Sequence, residues 1–252
     1  MEEELINSIK NNEFIIYLQP KFNTIDEKIV GAEALIRKNV EGKIIMPDKF
    51  IPLYEKKGTI TILDTYVLEE VCKLQKKWNE KNFPLLSISV NESRHHLKNK
   101  NHTQELKKLV EKYKVNPELI ELEMTETTVV EDIKLARNAA KSVKEIGFKV
   151  SMDDFGTGYS AFNILKDIEI DILKIDKTFF ENLENNERAQ IIIETIINMC
   201  KKLNIKTVAE GIETKEQVKF LKKVGCNIIQ GYYFSKPIPI EEFENRYLRE
   251  LQ

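Results

Sequence analysis

Two adjacent aspartates, Asp153 and Asp154, stand where a strand-like run over 148–152 stops and the stretch FGTGYS begins. Phe148, Val150 and Met152 alternate with Lys149 and Ser151, the period of a strand, and Gly147 before them reads as a helix C-cap. Successive strand residues point to opposite faces. Both carboxylates therefore reach one site only if the strand ends there and the backbone turns, a turn that Gly156 and Gly158 are expected to supply. Neighbouring carboxylates repel each other unless cations or hydrogen bonds hold them. Their oxygens suit magnesium, manganese or calcium. The letters DFG also occur in protein kinases, but no glycine-rich loop, V-A-I-K or H-R-D segment accompanies them, which excludes that reading.

Other strand-like runs end on similar residues. Glu33 lies in IVGAEALI, Asn91 closes SISVN, Glu123 lies in IELEMTE, Lys174 lies in DILKID, Glu210 closes TVAE and Gln230 closes NIIQ. Taken singly, each has an ordinary alternative: Glu123 as the solvated half of an alternating strand, Lys174 as a snorkelling surface lysine. Glu33 resists such an account best, since a carboxylate flanked by Gly, Ala, Leu and Ile is rarely buried unless paired or bound to metal. Together the acids and the asparagine form an oxygen-rich rim that repels itself until cations enter. Two cations about 3.5–4 Å apart would activate a water for in-line attack at phosphorus, so phosphodiester hydrolysis fits. Lys174 could steady that water or the developing charge, and Arg37, four residues after Glu33, offers a fork for a phosphate oxygen. His95 and His96 follow the Asn91 strand in a polar loop without a matching pair and read as surface residues.

The elements that must position these groups follow from periodicity. A helical lead-in covers 2–10. Strands at 14–22 and 29–37 are joined by the polar loop 23–28, which is too short for a crossover helix, so they should pair antiparallel. Helices are expected at 47–57, 60–78, 103–113, 131–146, 188–203 and 240–251, with another from the Thr214–Gln217 capping box to Gly225. Strands are expected at 86–91, 119–125, 171–175, 205–209 and 227–230, besides the double-aspartate strand. Eight strands mostly alternating with helices in 252 residues argue for one α/β domain, 1–252, built as a (β/α)8 barrel, with a doubly wound open sheet as the alternative. In such a barrel the working residues lie at the C-terminal ends of the strands.

Lys plus Arg number 39 against 41 Asp plus Glu, a net charge of −2, so nothing favours sequence-independent binding to DNA or RNA. The three cysteines, Cys72, Cys200 and Cys226, are odd in number and widely spaced, which suits buried thiols in a reducing cytoplasm. No run approaches about 18 apolar residues, and the N-terminus is acidic where a signal peptide is basic. The expectation is a cytoplasmic chain with no membrane partner.

The order of motifs resembles the EAL-domain family of cyclic di-GMP phosphodiesterases. The matching pieces are Glu33-Ala34-Leu35 followed by Arg37, the DDFGTGYS stretch, Leu173-Lys174-Ile175-Asp176, Ala209-Glu210-Gly211-Ile212-Glu213, and the run from Gln230 to Pro237, with Tyr17-Leu18-Gln19-Pro20 at the start. The resemblance implies a modified TIM (β/α)8 barrel with an antiparallel first strand, residues 1–12 serving as a helical lead-in. It implies hydrolysis of cyclic di-GMP to linear pGpG with two Mg2+ or Mn2+ ions. By motif, Glu33, Asn91, Glu123 and Asp153 resemble the ligands of one metal, and Asp153, Asp154 and Glu210 those of the second. Lys174 resembles the lysine that holds the attacking water, and Glu210 is also a candidate general base. Gln19, Arg37 and Gln230 resemble substrate contacts. Glu126 resembles the glutamate that anchors the loop after Asp154, and Glu213 a supporting acid. The family admits a homodimer and a sensor domain outside this stretch. Lys38 follows Arg37 where an aromatic is usual, and Ala161-Phe162 replaces a small residue followed by leucine. The rivals are a catalytically silent EAL domain acting as a cyclic di-GMP receptor, and a metal-dependent lyase or isomerase on the same barrel.

Overall fold

The structure, a computed structural model, describes residues 2–156 and 161–249, and for 161–163 the backbone alone. After α1 (Glu2–Lys10), β1 (Phe14–Asn23) and β2 (Ile29–Val40) form an antiparallel hairpin. The tight return is held by Asn23, whose Oδ1 accepts from the backbone N–H of Ile25. A short β3 (Lys43–Ile45) extends that hairpin outward, and α2 (Ile51–Lys56) and α3 (Ile60–Glu80) follow. The alternating part then runs β4 (Ser87–Asn91), α4 (His102–Tyr113), β5 (Ile120–Thr125), α5 (Glu126–Glu131), α6 (Ile133–Ile146), β6 (Lys149–Phe155), α7 (Ala161–Asp167) and β7 (Ile172–Ile175). It closes with α8 (Glu187–Lys202), β8 (Lys206–Ala209), α9 (Lys215–Val224), β9 (Ile228–Ile229), β10 (Ile238–Pro239) and α10 (Ile240–Phe243).

Strands β2, β4, β5, β6, β7, β8 and β9 are successive parallel neighbours, and β1 closes the circle antiparallel to both β2 and β9. This is a modified TIM barrel whose first strand is reversed, as the short 23–28 connector requires. Only Phe22 and Asn23 of β1 reach β9, and β10 takes β1 further along, at Tyr17 and Leu18.

The local signals act as their chemistry predicts. Gly147 caps α6 at φ 111°. Thr214 and Gln217 form the reciprocal capping box of α9. The boundaries differ where local propensity competes with packing. The helix expected over 131–146 breaks at Asp132 (φ −153°, ψ 86°), whose side chain caps α6, so α5 is a separate turn. The 47–57 helix is a 3-10 turn followed by α2, and α7 lacks a sequence signal long enough to read. The last helix stops at Phe243 and passes into one wider π-type turn over Glu244–Leu248; Leu251 lies outside the described residues.

Apolar side chains from both layers fill the shell between strands and helices. In β5, Ile120, Leu122 and Met124 are buried there, yet Glu121 and Glu123 are buried as well, at 3% and 1% exposure. The alternation of this strand therefore separates helix shell from barrel lumen rather than core from water, which rules out the solvated account of Glu123. Lys174, 1% exposed, is likewise no surface lysine.

Candidate active site

Lys174 enters the lumen from β7, and its ammonium is surrounded by acids from four other strands. Its Nζ lies 2.6 Å from Glu123 Oε2, 3.0 Å from Asp153 Oδ2, 3.0 Å from Glu210 Oε1 and 3.6 Å from Glu33 Oε2. Glu33 in turn accepts from Asn91 Nδ2 at 3.1 Å and from Gln230 Nε2 at 2.6 Å. Gln19 belongs to the reversed strand but faces Glu33 directly in register, and its Oε1 accepts from Gln230 Nε2 at 3.1 Å. Glu33, Asn91, Glu123, Asp153, Lys174, Glu210, Gln19 and Gln230 are thus joined in one network at the C-terminal ends of the parallel strands.

Asp154 joins by a bend in its own residue. β6 continues to Phe155, but the register with β7 slips between Met152 and Phe155, and Asp154 takes a left-handed conformation at φ 55°. The turn expected of Gly156 and Gly158 begins one residue before the strand ends. It places Asp153, Asp154 and Glu210 so that one carboxylate oxygen from each lies within 4.8 Å of the others. Among the described residues no other three His, Cys, Asp or Glu side chains meet this closely. Gly156, at φ 99°, comes next; a Cβ there would collide with the Phe179 ring. Its N–H donates to Glu126 Oε2 at 2.9 Å, and Glu126 is buried at the start of α5. Gly158 and the rest of 157–160 lie outside the described residues.

Arg37 is buried on β2, its Nη1 donating to the Ile36 carbonyl at 2.8 Å and its guanidinium 5.5 Å from the Tyr17 ring. Lys38 turns away from the site to Glu13, 3.3 Å away. Glu213 is exposed on the loop after Glu210, and no hydrogen bond ties its carboxylate to the network among the described residues. A cavity of about 500 Å³ opens beside Asn91, lined by Ala34, Ile36, Ser93, Arg94 and Thr125 among others.

Burial and mutual repulsion push several acids toward protonation. Glu210 rises well above the usual carboxylate range, chiefly through burial and despite Lys174. Glu33, Asp153 and Asp154 rise for the same first cause. Glu123 goes the other way: burial alone would raise it, but Lys174 and Lys21 together hold it down at about 2. The charge of these acids lifts Lys174 well above its usual value against its own burial. Hard carboxylate and carboxamide oxygens, repelling one another around a single ammonium, are a donor set that fits Mg2+ or Mn2+.

Two features escape a sequence reading. Lys21 is buried beneath the network, its Nζ 2.7 Å from Ser89 Oγ, 3.3 Å from Glu123 Oε1 and 3.5 Å from Glu121. A lysine following Gln-Pro in an edge hairpin gives no signal of lying in a lumen. His96 is not on the surface. It is buried with Nε2 3.1 Å from Asp64 Oδ2, and its ring lies 4.1 Å from that of His102, which bonds Glu92. The matching histidine was six residues further on, across a loop that sequence spacing does not fold.

A reversed-strand TIM barrel with this acidic rim is the architecture of a defined class: a family model described as the EAL domain matches residues 2–237, and the chain belongs to that family. It is 37% identical over 95% of its length to the probable cyclic di-GMP phosphodiesterase PdeB of Escherichia coli K12, covering 45% of that protein. It is 35% identical over 96% of its length to the signaling protein YkoW of Bacillus subtilis 168, covering 30% of it. The chain thus spans less than half the length of these relatives. Among solved structures, the PaMucR phosphodiesterase in complex with c-di-GMP superposes with a TM-score of 0.88 at 30% identity, covering 96% of this chain and 98% of that one.

Proposed function

We propose that the chain is a metal-dependent phosphodiesterase that opens cyclic di-GMP to linear pGpG. The observation that carries this is the charge imbalance of the lumen. Lys21 and Lys174 face the carboxylates of Glu33, Glu121, Glu123, Asp153, Asp154 and Glu210, leaving four negative charges when all ionise, the charge of two divalent cations. Glu33, Asn91, Glu123 and Asp153 would hold one Mg2+ or Mn2+, and Asp153, Asp154 and Glu210 the second. Bound there, the cations supply a nucleophilic water at neutral pH and neutralise charge at phosphorus. Lys174, fixed by its acids, donates a hydrogen bond to the attacking water. Glu210, ionised when the cations are bound, would take the proton of that water, and its burial favours the protonated form that results. Gln19 and Gln230 orient the substrate beside Glu33, and the Arg37 fork binds a phosphate oxygen. The cavity beside Asn91 has room for a nucleobase. Glu126 steadies the loop after Asp154, and Glu213 supports Glu210 from outside.

The catalytic unit is the barrel of residues 1–252, with 1–12 as lead-in. No described helix is long and apolar enough to cross a membrane. We place the domain in the cytoplasm, and propose that it can pair as a homodimer and act with a sensor domain outside this chain.

Incubation with cyclic di-GMP and Mn2+, followed by chromatography of the products, tests the reading. Release of pGpG is expected. Tight binding of cyclic di-GMP without product would instead make the chain a receptor, and neither binding nor product would return the barrel to the lyase and isomerase class.

A further inference from the structure

The carboxylate of Glu123 is divided between two lysines that approach it from different strands. Lys174 of β7 takes Oε2 at 2.6 Å, while Lys21 of β1 takes Oε1 at 3.3 Å from the opposite side. Lys21 is itself tied down, donating to Ser89 Oγ at 2.7 Å on β4 and resting 3.5 Å from both oxygens of Glu121. It is 3% exposed and one step deeper in the barrel than Gln19, opposite Gly31 where Gln19 is opposite Glu33. The reversal of β1 brings this residue under the parallel strands that carry Ser89, Glu121 and Glu123.

We infer that Lys21 is a positioning residue for the reaction: it holds Glu123 by Oε1 so that only Oε2 faces the strand-end acids. Without it, both oxygens of Glu123 are free to close on the Lys174 ammonium. That fork draws a ligand and the water-holding lysine away from the reacting centre together. The inference rests on the phosphodiesterase reading, but its first consequence is a binding property that can be measured without turnover.

The simpler account is that Lys21 only neutralises Glu121 in the barrel floor. A charge-balanced replacement separates the two, because a buried ion pair exchanged for apolar residues of similar volume is often tolerated. Lys21→Met combined with Glu121→Leu removes the pair together, and Lys21→Gln alone supplies a second variant that keeps a polar donor beside Ser89 and Glu121. Folding is checked by circular dichroism, Mn2+ affinity by calorimetry without substrate, and kcat by pGpG release. For the folded variants we expect Mn2+ affinity about tenfold weaker or more, the scale seen when a group that orients a metal ligand is lost, with kcat reduced at least as much. A folded variant that binds Mn2+ as tightly as the unaltered protein overturns the positioning role. If the unaltered protein binds Mn2+ and never yields pGpG, the phosphodiesterase reading fails, while weaker Mn2+ binding by the variants would still establish Lys21 as the residue that orients Glu123.

Discussion

Lys174 and Asp153 occupy neighbouring places in one charge network, yet their removal should have opposite consequences. Lys174 is the cation on which Glu33, Glu123, Asp153 and Glu210 converge. Deleting it leaves buried acids uncompensated, a change that costs about 3–5 kcal/mol when one partner of a buried pair is lost. The Lys174→Ala protein should therefore unfold at lower temperature without metal, recover with Mn2+, and bind Mn2+ at least as tightly as before. Its turnover should fall by about 10²–10³, the usual loss when a single donor to the reacting centre is removed. Asp153→Ala and Glu33→Ala remove oxygens proposed as metal ligands, so turnover should vanish together with Mn2+ affinity. Calorimetric titration with Mn2+ decides the assignment. Loss of metal binding in Lys174→Ala with none in Asp153→Ala would reverse it.

The elements matter through how each strand end hands its side chain to the lumen. β6 does so twice in succession because Asp154 adopts a left-handed backbone, and the segment that follows is tethered by the N–H of Gly156 on Glu126. A glycine-bearing segment loses much conformational entropy on ordering, and a charge-assisted hydrogen bond from a buried carboxylate offsets part of it. Glu126→Ala should fold, keep the metal proposed at Glu33, Asn91, Glu123 and Asp153, and lose most turnover together with some apparent Mg2+ affinity, because Asp154 can then turn away. Steady-state kinetics over a Mg2+ series checks this. Near-normal turnover at every Mg2+ concentration would show that Glu126 only meets the positive end of α5, which Thr125 caps, an effect worth a few tenths of a kcal/mol.

Across the whole molecule, what could be read beforehand was whatever local chemistry enforces. The 23–28 connector dictated the reversed strand, and the C-caps and the Thr214 capping box set helix ends. The period of 3.6 placed α3, α4 and α8. What escaped depends on closure of the ring: that Glu121 and Lys21 line a lumen, that His96 meets His102, and that two-residue β9 covers only one end of β1 and leaves Tyr17 and Leu18 to pair with β10. The end of the chain shows the same dependence on contacts distant in sequence. Phe243 stacks on Trp78 of α3 with centroids 5.9 Å apart, and the next residue, Glu244, accepts from Trp78 Nε1 at 3.0 Å and from Lys77 Nζ at 2.7 Å. Trp78 is fully buried and Glu244 only 3% exposed, so the indole N–H depends on that carboxylate. This clasp joins residues 166 apart and fastens the segment after β10 against α3. Glu244→Ala should destabilise the fold by about 1–3 kcal/mol, the cost of leaving a buried donor unsatisfied. Glu244→Gln, which keeps an acceptor oxygen, should lose less. Urea denaturation followed by tryptophan fluorescence reports directly on the single indole, Trp78. Both variants should retain wild-type turnover below their transitions, since the clasp lies outside the acidic network. Equal midpoints for Glu244→Ala and the unaltered protein would mean that the β1–β9 and β1–β10 pairings close the barrel without help from the chain end.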